Sequence, residues 1–192
     1  LSYRNLAEKG GPEFSEAQAK AIAASFEVKD GPNEDGDMFT RPGKLSDKFV
    51  MPYENVKAAQ AANGGAYPPD MSVLVKARGG GVDYIYSLLQ GYEDPPIGME
   101  LDDGVYYNKF MYGNKIKMAN QLSDGLVNYS DGTEATVEQM SKDVTTFLMW
   151  AAEPHLEARH QMGFKAIVYL IILTILVYFS MKKIWSRIKT EV

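Results

Sequence analysis

The chain has 192 residues, enough for one domain with a sizeable core plus an appendage, and its 45% hydrophobic and 23% charged content is ordinary for a globular protein. It has no cysteine, which excludes disulfides, cysteine-ligated zinc, iron–sulfur ligation and cysteine nucleophiles within these residues; two histidines, His155 and His160, are too few for a self-contained metal site or catalytic triad. Of 20 basic and 25 acidic groups, 5 and 1 fall in residues 165–192, leaving 15 and 24 in residues 1–164. The resulting net charge of −9 over residues 1–164 repels nucleic acid, and either steers a basic partner or simply keeps the domain soluble.

Ser15–Val28 reads as a helix, with Ser15 as N-cap and Ala, Ile and Phe at helical spacing. Lys29–Phe49 is dense in Gly, Pro, Asp and Asn and reads as a long irregular loop. Glu54–Gly65 is a short helix closed by glycine. Asp70–Gly80 reads as a helix capped by Asp70 and ended by glycines, and Val82–Tyr92 as another capped by Asp83. Glu93–Gln121 is loop with strand fragments. Within Asp131–Pro154 a strong helix follows Thr133 as N-cap, with Val137, Met140, Val144, Phe147, Leu148 and Ala151 on its apolar face and Pro154 marking its end. Repeats and low-complexity tracts are absent from the sequence.

The sixteen residues "AIVYLIILTILVYFSM" (Ala166–Met181) carry no charge. Gly163 and Phe164 extend the run, Lys165 can snorkel, and Ile184 and Trp185 suit an interface, so Phe164–Trp185 reads as a transmembrane anchor. The divisions expected are a domain over 1–154, a connector over 155–163, the anchor over 164–185 and a tail over 186–192. The short basic flank "KKIWSRIK" (Lys182–Lys189) predicts a tail on the cytoplasmic or matrix side and an acidic domain on the opposite side. That topology calls for an export signal upstream of Leu1.

The domain so read is small, helical and rich in loops longer than about 12–15 residues, which are functional or organised around something other than side-chain packing. A bulky cofactor would supply the missing core. The stretch "GNKIKMANQL" (Gly113–Leu122) sets one thioether, Met118, in a polar segment without apolar periodicity. Met118 either plugs a gap, as methionine often does, or ligates a soft metal centre.

The segments "DGPNEDGDMFTRPGKLSD", "AANGGAYPPD", "VKARGGG", "DYIYSLL", "GYEDPP" and "DGTEATVEQMSKDV", followed by "WAAEP" and a single carboxyl-terminal apolar helix, resemble in order and end to end the cytochrome c1 family, the haem-bearing subunits of respiratory complex III. The resemblance implies a mainly α, class I cytochrome c-like haem domain with long loops, anchored by one transmembrane helix. It implies haem c as cofactor and places Met118 at the axial position of the haem iron, where a thioether opposite a histidine gives a high-potential electron-transfer haem. It matches Asn63 and Ala66 to residues at the haem edge, Pro68 and Pro69 to a wall of the haem pocket, Arg78 to a propionate-binding arginine, and Tyr84, Leu88 and Leu89 to pocket-lining residues. Ordinary packing or solvent exposure is the competing reading of each.

The family's role would make this chain an electron-transfer subunit of ubiquinol–cytochrome c oxidoreductase, with no catalytic residues of its own. Electrons would pass from the Rieske iron–sulfur protein through haem to soluble cytochrome c, with cytochrome b, the dimeric complex and the lipid membrane as further partners. The setting would be the mitochondrial inner membrane facing the intermembrane space, or the bacterial plasma membrane facing the periplasm. Three departures stand out. The CxxCH motif that carries the thioethers and the second axial ligand in the family is absent, and in the family it lies a few residues before the counterpart of "LSYRNL"; its haem-attaching part is expected upstream or in a separate chain, and this polypeptide by itself should bind haem poorly. Met118-Ala119 is followed by Asn120-Gln121 where the family has prolines, and Lys109 and Met111–Gly113 replace another proline-rich stretch. Gly79 stands where many relatives have histidine, which removes a surface charge. These departures keep open a second reading, a haem-free, membrane-anchored structural subunit of the same complex. A hydrolytic enzyme lacks a nucleophile–base set.

Overall fold

The computed structural model describes residues 1–188. They fall into two compact units, Leu1–Pro154 and a second that starts at His155. The first is mainly helical with two short hairpins; the second is one long helix.

Near the amino end a 3-10 helix (Tyr3–Ala7) packs against α1 (Glu16–Ala24). α1 starts at Ser15 because that hydroxyl accepts from the Gln18 amide, while the Gln18 side chain accepts from the Ser15 amide. Ala19 and Ala23, four residues apart, are fully buried against Tyr3, Leu6 and Trp150. The helix ends at Ala24, with Ser25 as its C-cap, four residues short of the expected Val28. Glu27–Asp30 (β1) instead pairs antiparallel with Phe39–Pro42 (β2), with Val28 opposite Arg41. The irregular loop expected over 29–49 is therefore a hairpin at its start. A ladder of four residues per strand, rich in turn formers, has too little alternation to announce itself.

The hairpin is tied down by Arg41, whose guanidinium grips Asp47 with two hydrogen bonds (2.6 and 3.1 Å) and also donates to Asp30. The backbone beside Asp47 accepts from Tyr3 and Arg4, so the cluster joins the hairpin to the first residues of the domain. Gly43 belongs here because a Cβ would lie 2.5 Å from the Ala23 carbonyl oxygen.

α2 (Val56–Ala62) is capped by Asn55 and stops where Gly64 and Gly65 adopt positive φ. Asp70 caps as expected, accepting from the Ser72 amide, but it opens one 3-10 turn (Met71–Val73) and further turns up to the glycines, in place of a helix over 70–80. α3 (Gly81–Gln90) is entered through Gly80 in the left-handed region, so Asp83 sits in its first turn, favourably placed for the helix dipole, and not at the cap. Two-residue strands β3 (Tyr106–Tyr107) and β4 (Lys115–Ile116) form a second hairpin.

α4 (Val137–Ala152) begins at Thr136, whose hydroxyl accepts from Gln139; Thr133 lies in the preceding turn, its amide held by Asp131. Its buried face runs through Met140, Ser141, Thr145 and Leu148, whereas the expected Val144 and Phe147 are 41% and 45% exposed. Thr145 can be buried because its hydroxyl donates to the Ser141 carbonyl. The apolar pattern therefore places Met140 and Leu148 on the buried face but misassigns Val144 and Phe147. α5 (Leu156–Ile188) has 33 residues, a length of about 50 Å at ~1.5 Å per residue, and a span with mean hydropathy 2.2. It is long and apolar enough to cross a bilayer and contains the expected Phe164–Trp185. The segment assigned to a connector is helical from Leu156; of the tail, residues 189–192 lie outside the described residues.

The Arg41 guanidinium and the Lys44 amide lower the Asp47 carboxyl from its ordinary 3.8 to about 2. A depressed carboxylate stabilises the fold above its unfolded pKa and loses that contribution as pH falls through its folded one. Asp47→Asn should therefore lower the urea midpoint at neutral pH, and the gap to the wild type should close as pH falls from about 5 to about 2. A gap independent of pH would remove Asp47 ionisation as its cause.

Candidate functional site

α3 is the element on which the candidate site is built. Its Ile85 is buried, and Val82, Tyr84 and Leu89 pack around the cluster of Val75, Ile85 and Leu148. Tyr84 and Leu88, four residues apart, share a face and are half-buried. The Tyr84 hydroxyl donates to the Met111 sulfur at 3.4 Å, which brings a second thioether to this helix.

Directly beyond α3, Tyr92 donates its hydroxyl to the Met118 carbonyl oxygen at 3.0 Å. Met118 comes shortly after β4 and is half-buried. Its side chain therefore does not dangle in solvent, although its sequence surroundings are polar. Burial pushes the Tyr92 phenol from its ordinary 10 to about 12, so across the neutral range it is a hydrogen-bond donor.

The other expected residues lie on neighbouring loops. Asn63 terminates α2, exposed, with its amide donating to the Ala59 carbonyl at 2.7 Å and to the Tyr53 hydroxyl at 3.4 Å. Ala66 and Pro68 are half-buried and Pro69 is exposed. Arg78 is exposed and donates to the Ala77 carbonyl; among the described residues no carboxylate pairs with it. Tyr84, Leu88 and Leu89 share α3, and Tyr92 just beyond it holds the Met118 backbone, whereas among the described residues no side-chain hydrogen bond links the 63–69 segment to them. The sequence reading missed Tyr92, Asn108 and Met111. Their contacts span 16 to 27 residues, and only the turn-rich sequence between them hinted at a clasp.

These residues fit a large apolar group carrying carboxylates. Ten hydrophobic residues, three of them alanines, form the buried apolar set of the described chain, split between two separate clusters and isolated positions. Tyr67, Met71 and Val73, which flank Pro68 and Pro69, remain 46–59% exposed. An apolar plate would cover such side chains, a half-buried thioether is a soft donor for iron, and an unpaired guanidinium suits a carboxylate. Among the described residues no group of three or more His, Cys, Asp or Glu could hold a metal ion.

The class is a loop-rich, mainly helical domain in a chain that also has one helix long and apolar enough to cross a bilayer. The profile of the Cytochrome C1 family matches residues 1–188, and the chain belongs to that family. It is 49% identical over 191 residues to a potato (Solanum tuberosum) protein named cytochrome c1-2, heme protein, mitochondrial, covering all of this chain and 72% of that one. It is 48% identical over 192 residues to the cytochrome b-c1 complex catalytic subunit, mitochondrial, of Candida albicans, covering all of this chain and 66% of that one. It is 50% identical over 205 residues to the cytochrome b/c1 protein of Bradyrhizobium diazoefficiens, covering 97% of this chain and 30% of the relative, so it spans under a third of that protein's length.

A raised phenol pKa stabilises the fold below the unfolded value near 10 and loses that contribution as pH rises through about 12. Tyr92→Phe should therefore flatten the fall in stability across that alkaline interval, read as the thermal midpoint against pH. An unchanged alkaline profile would show that Tyr92 does not titrate with a shifted pKa.

Proposed function

We propose that this chain is the electron-transfer subunit of a ubiquinol–cytochrome c oxidoreductase, accepting electrons from a Rieske iron–sulfur protein and passing them through haem c to a soluble cytochrome c. The observation that carries this reading is Met118: a thioether in a polar segment, half-buried, its backbone held by Tyr92 beside the helix that bears Tyr84, Leu88 and Leu89. Family membership across residues 1–188, and relatives named as heme proteins and as a subunit of the cytochrome b-c1 complex, support it.

In this reading Met118 offers its sulfur lone pair to the iron. Tyr84, Leu88, Leu89, Pro68 and Pro69 exclude water from an apolar face, Asn63 and Ala66 border its edge, and Arg78 meets a propionate. When bound, the haem supplies a one-electron iron couple whose potential is raised by thioether ligation. The histidine ligand and the attaching cysteines come from outside this sequence. The domain over 1–154 faces the intermembrane space or periplasm and Phe164–Trp185 anchors it beside cytochrome b in the dimeric complex. Lys182, Lys183 and Arg187 then lie on the opposite side, as the positive-inside rule requires.

A reduced-minus-oxidised spectrum of the intact complex, with haem-dependent peroxidase staining of the separated subunit, tests the assignment. A c-type band at this subunit is expected; its absence would leave the haem-free structural role. Met118→Leu should lower the midpoint potential by on the order of 0.1 V or more, within the ~0.8 V range that axial ligands span. Its stability should change by less than about 1.5 kcal/mol, as for volume-conserving swaps. An unchanged potential would sink the ligand role.

Glu34, Asp35, Asp102 and Asp103 are exposed carboxylates on loops and are the proposed docking charges. Converting all four to amides should slow association with a basic cytochrome by about tenfold or more at low ionic strength and have little effect at high salt. Stopped-flow rates indifferent to the change at low salt would place docking elsewhere.

A further inference from the structure

We propose that Asn108 is the positioning residue that fixes Met118 relative to α3, an inference that rests on Met118 being an axial ligand. Asn108 has no exposed surface and is the largest buried polar residue among those described. Both ends of its carboxamide are used: Nδ2 donates to the Leu88 carbonyl in the last turn of α3 (2.7 Å), while Oδ1 accepts from the amides of Phe110 (3.0 Å) and Met111 (3.2 Å). Its backbone amide donates to the Asn114 carbonyl, closing the loop on itself.

The fit leaves no room on the helix side. A Cβ at Gly91 would lie 2.6 Å from Asn108 Oδ1 and 2.7 Å from the Phe110 ring. Gly91 has an ordinary φ of −87°, so what it provides is space for the carboxamide and not an unusual conformation. The next residue, Tyr92, pairs with Asn108 in an antiparallel bridge and donates to the Met118 carbonyl. The Asn108 side chain therefore joins the end of α3 to the start of the loop, while its backbone pairs with Tyr92, which holds the ligand segment.

Only an amide does this. Alanine would leave the Phe110 amide without its partner and take one of two hydrogen bonds from the Leu88 carbonyl and from the Met111 amide, and aspartate would keep both acceptor bonds but lose the donor to Leu88. Met118 is followed by Asn120 and Gln121, with no proline to stiffen the segment, so its rigidity has to come from such a clasp.

The test uses the full-length protein within its complex in native membranes, with imidazole as the probe of the methionine side and the far-red absorption of ferric thioether-ligated haem as the signature. Asn108→Ala should lose that absorption and bind imidazole about tenfold or more tightly, the scale of one or two lost hydrogen bonds, with Asn108→Asp between it and the wild type. Leu6→Ala, which perturbs the separate Tyr3 cluster, should lower thermal stability and leave both readouts unchanged. Tyr92→Phe removes a single bond and keeps the ring, so it serves if Asn108→Ala fails to accumulate; its imidazole affinity should rise by about threefold. Wild-type absorption and imidazole affinity in Asn108→Ala, or in Tyr92→Phe where only that variant accumulates, would overturn the positioning role. A wild-type complex without any thioether signature would overturn the ligand reading and this inference with it, so the two failures are distinguishable.

Discussion

The amino-terminal unit has to hold long loops in fixed positions with very little apolar burial of its own. Its buried hydrophobic residues form two separate clusters, one around Tyr3 and Trp150 and one around Val75, Ile85 and Leu148. Ordering a residue costs about 1–2 kcal/mol in backbone entropy alone, so loops this long need compensation from elsewhere. The described structure supplies it with polar clasps that satisfy several backbone groups at once. Arg41 with Asp30 and Asp47 is the clasp of the first half, and Asn108 with Leu88 and Tyr92 that of the second.

These clasps explain which parts of the structure were legible in the sequence. Ser15, with Gln18 three residues on, specifies a helix start locally, and Asp70 specifies a turn start. The element beyond each cap is decided by partners the sequence does not place: Asp70 opens only a 3-10 turn, and α3 starts from a left-handed Gly80 and not from Asp83. The β1–β2 hairpin depends on Arg41 reaching Asp47, a contact invisible to periodicity. On α4, Thr145 takes a core position that hydrophobicity assigns to Val144, because its hydroxyl finds the Ser141 carbonyl and so escapes the cost of burying an unpaired polar group.

The site divides along the same line. Met118 stood out by being a soft side chain without a packing pattern, and the neighbouring positions came from resemblance, residue by residue. Tyr92, Asn108 and Met111 have no local signature, since a tyrosine, an asparagine and a methionine in a loop are each unremarkable alone. Their roles arise when α3 and the 91–118 loop meet: Tyr84 reaches Met111, Tyr92 reaches Met118, and Gly91 makes way for Asn108.

α3 consequently serves two requirements at once. Through Ile85 it packs with Leu148 of α4, and through Leu88, Gly91 and the adjoining Tyr92 it fixes the segment that carries Met118. An ion pair from Lys76 to Glu153 adds a tie between the turns before α3 and the end of α4. A close-packed contact transmits displacement because it has no slack to absorb it. α4 is thereby linked, through α3 and Tyr92, to the segment that carries Met118. The Met118 backbone is thus held by a run of packed and hydrogen-bonded groups reaching back to the apolar cluster, and that is how a segment of polar sequence keeps its place.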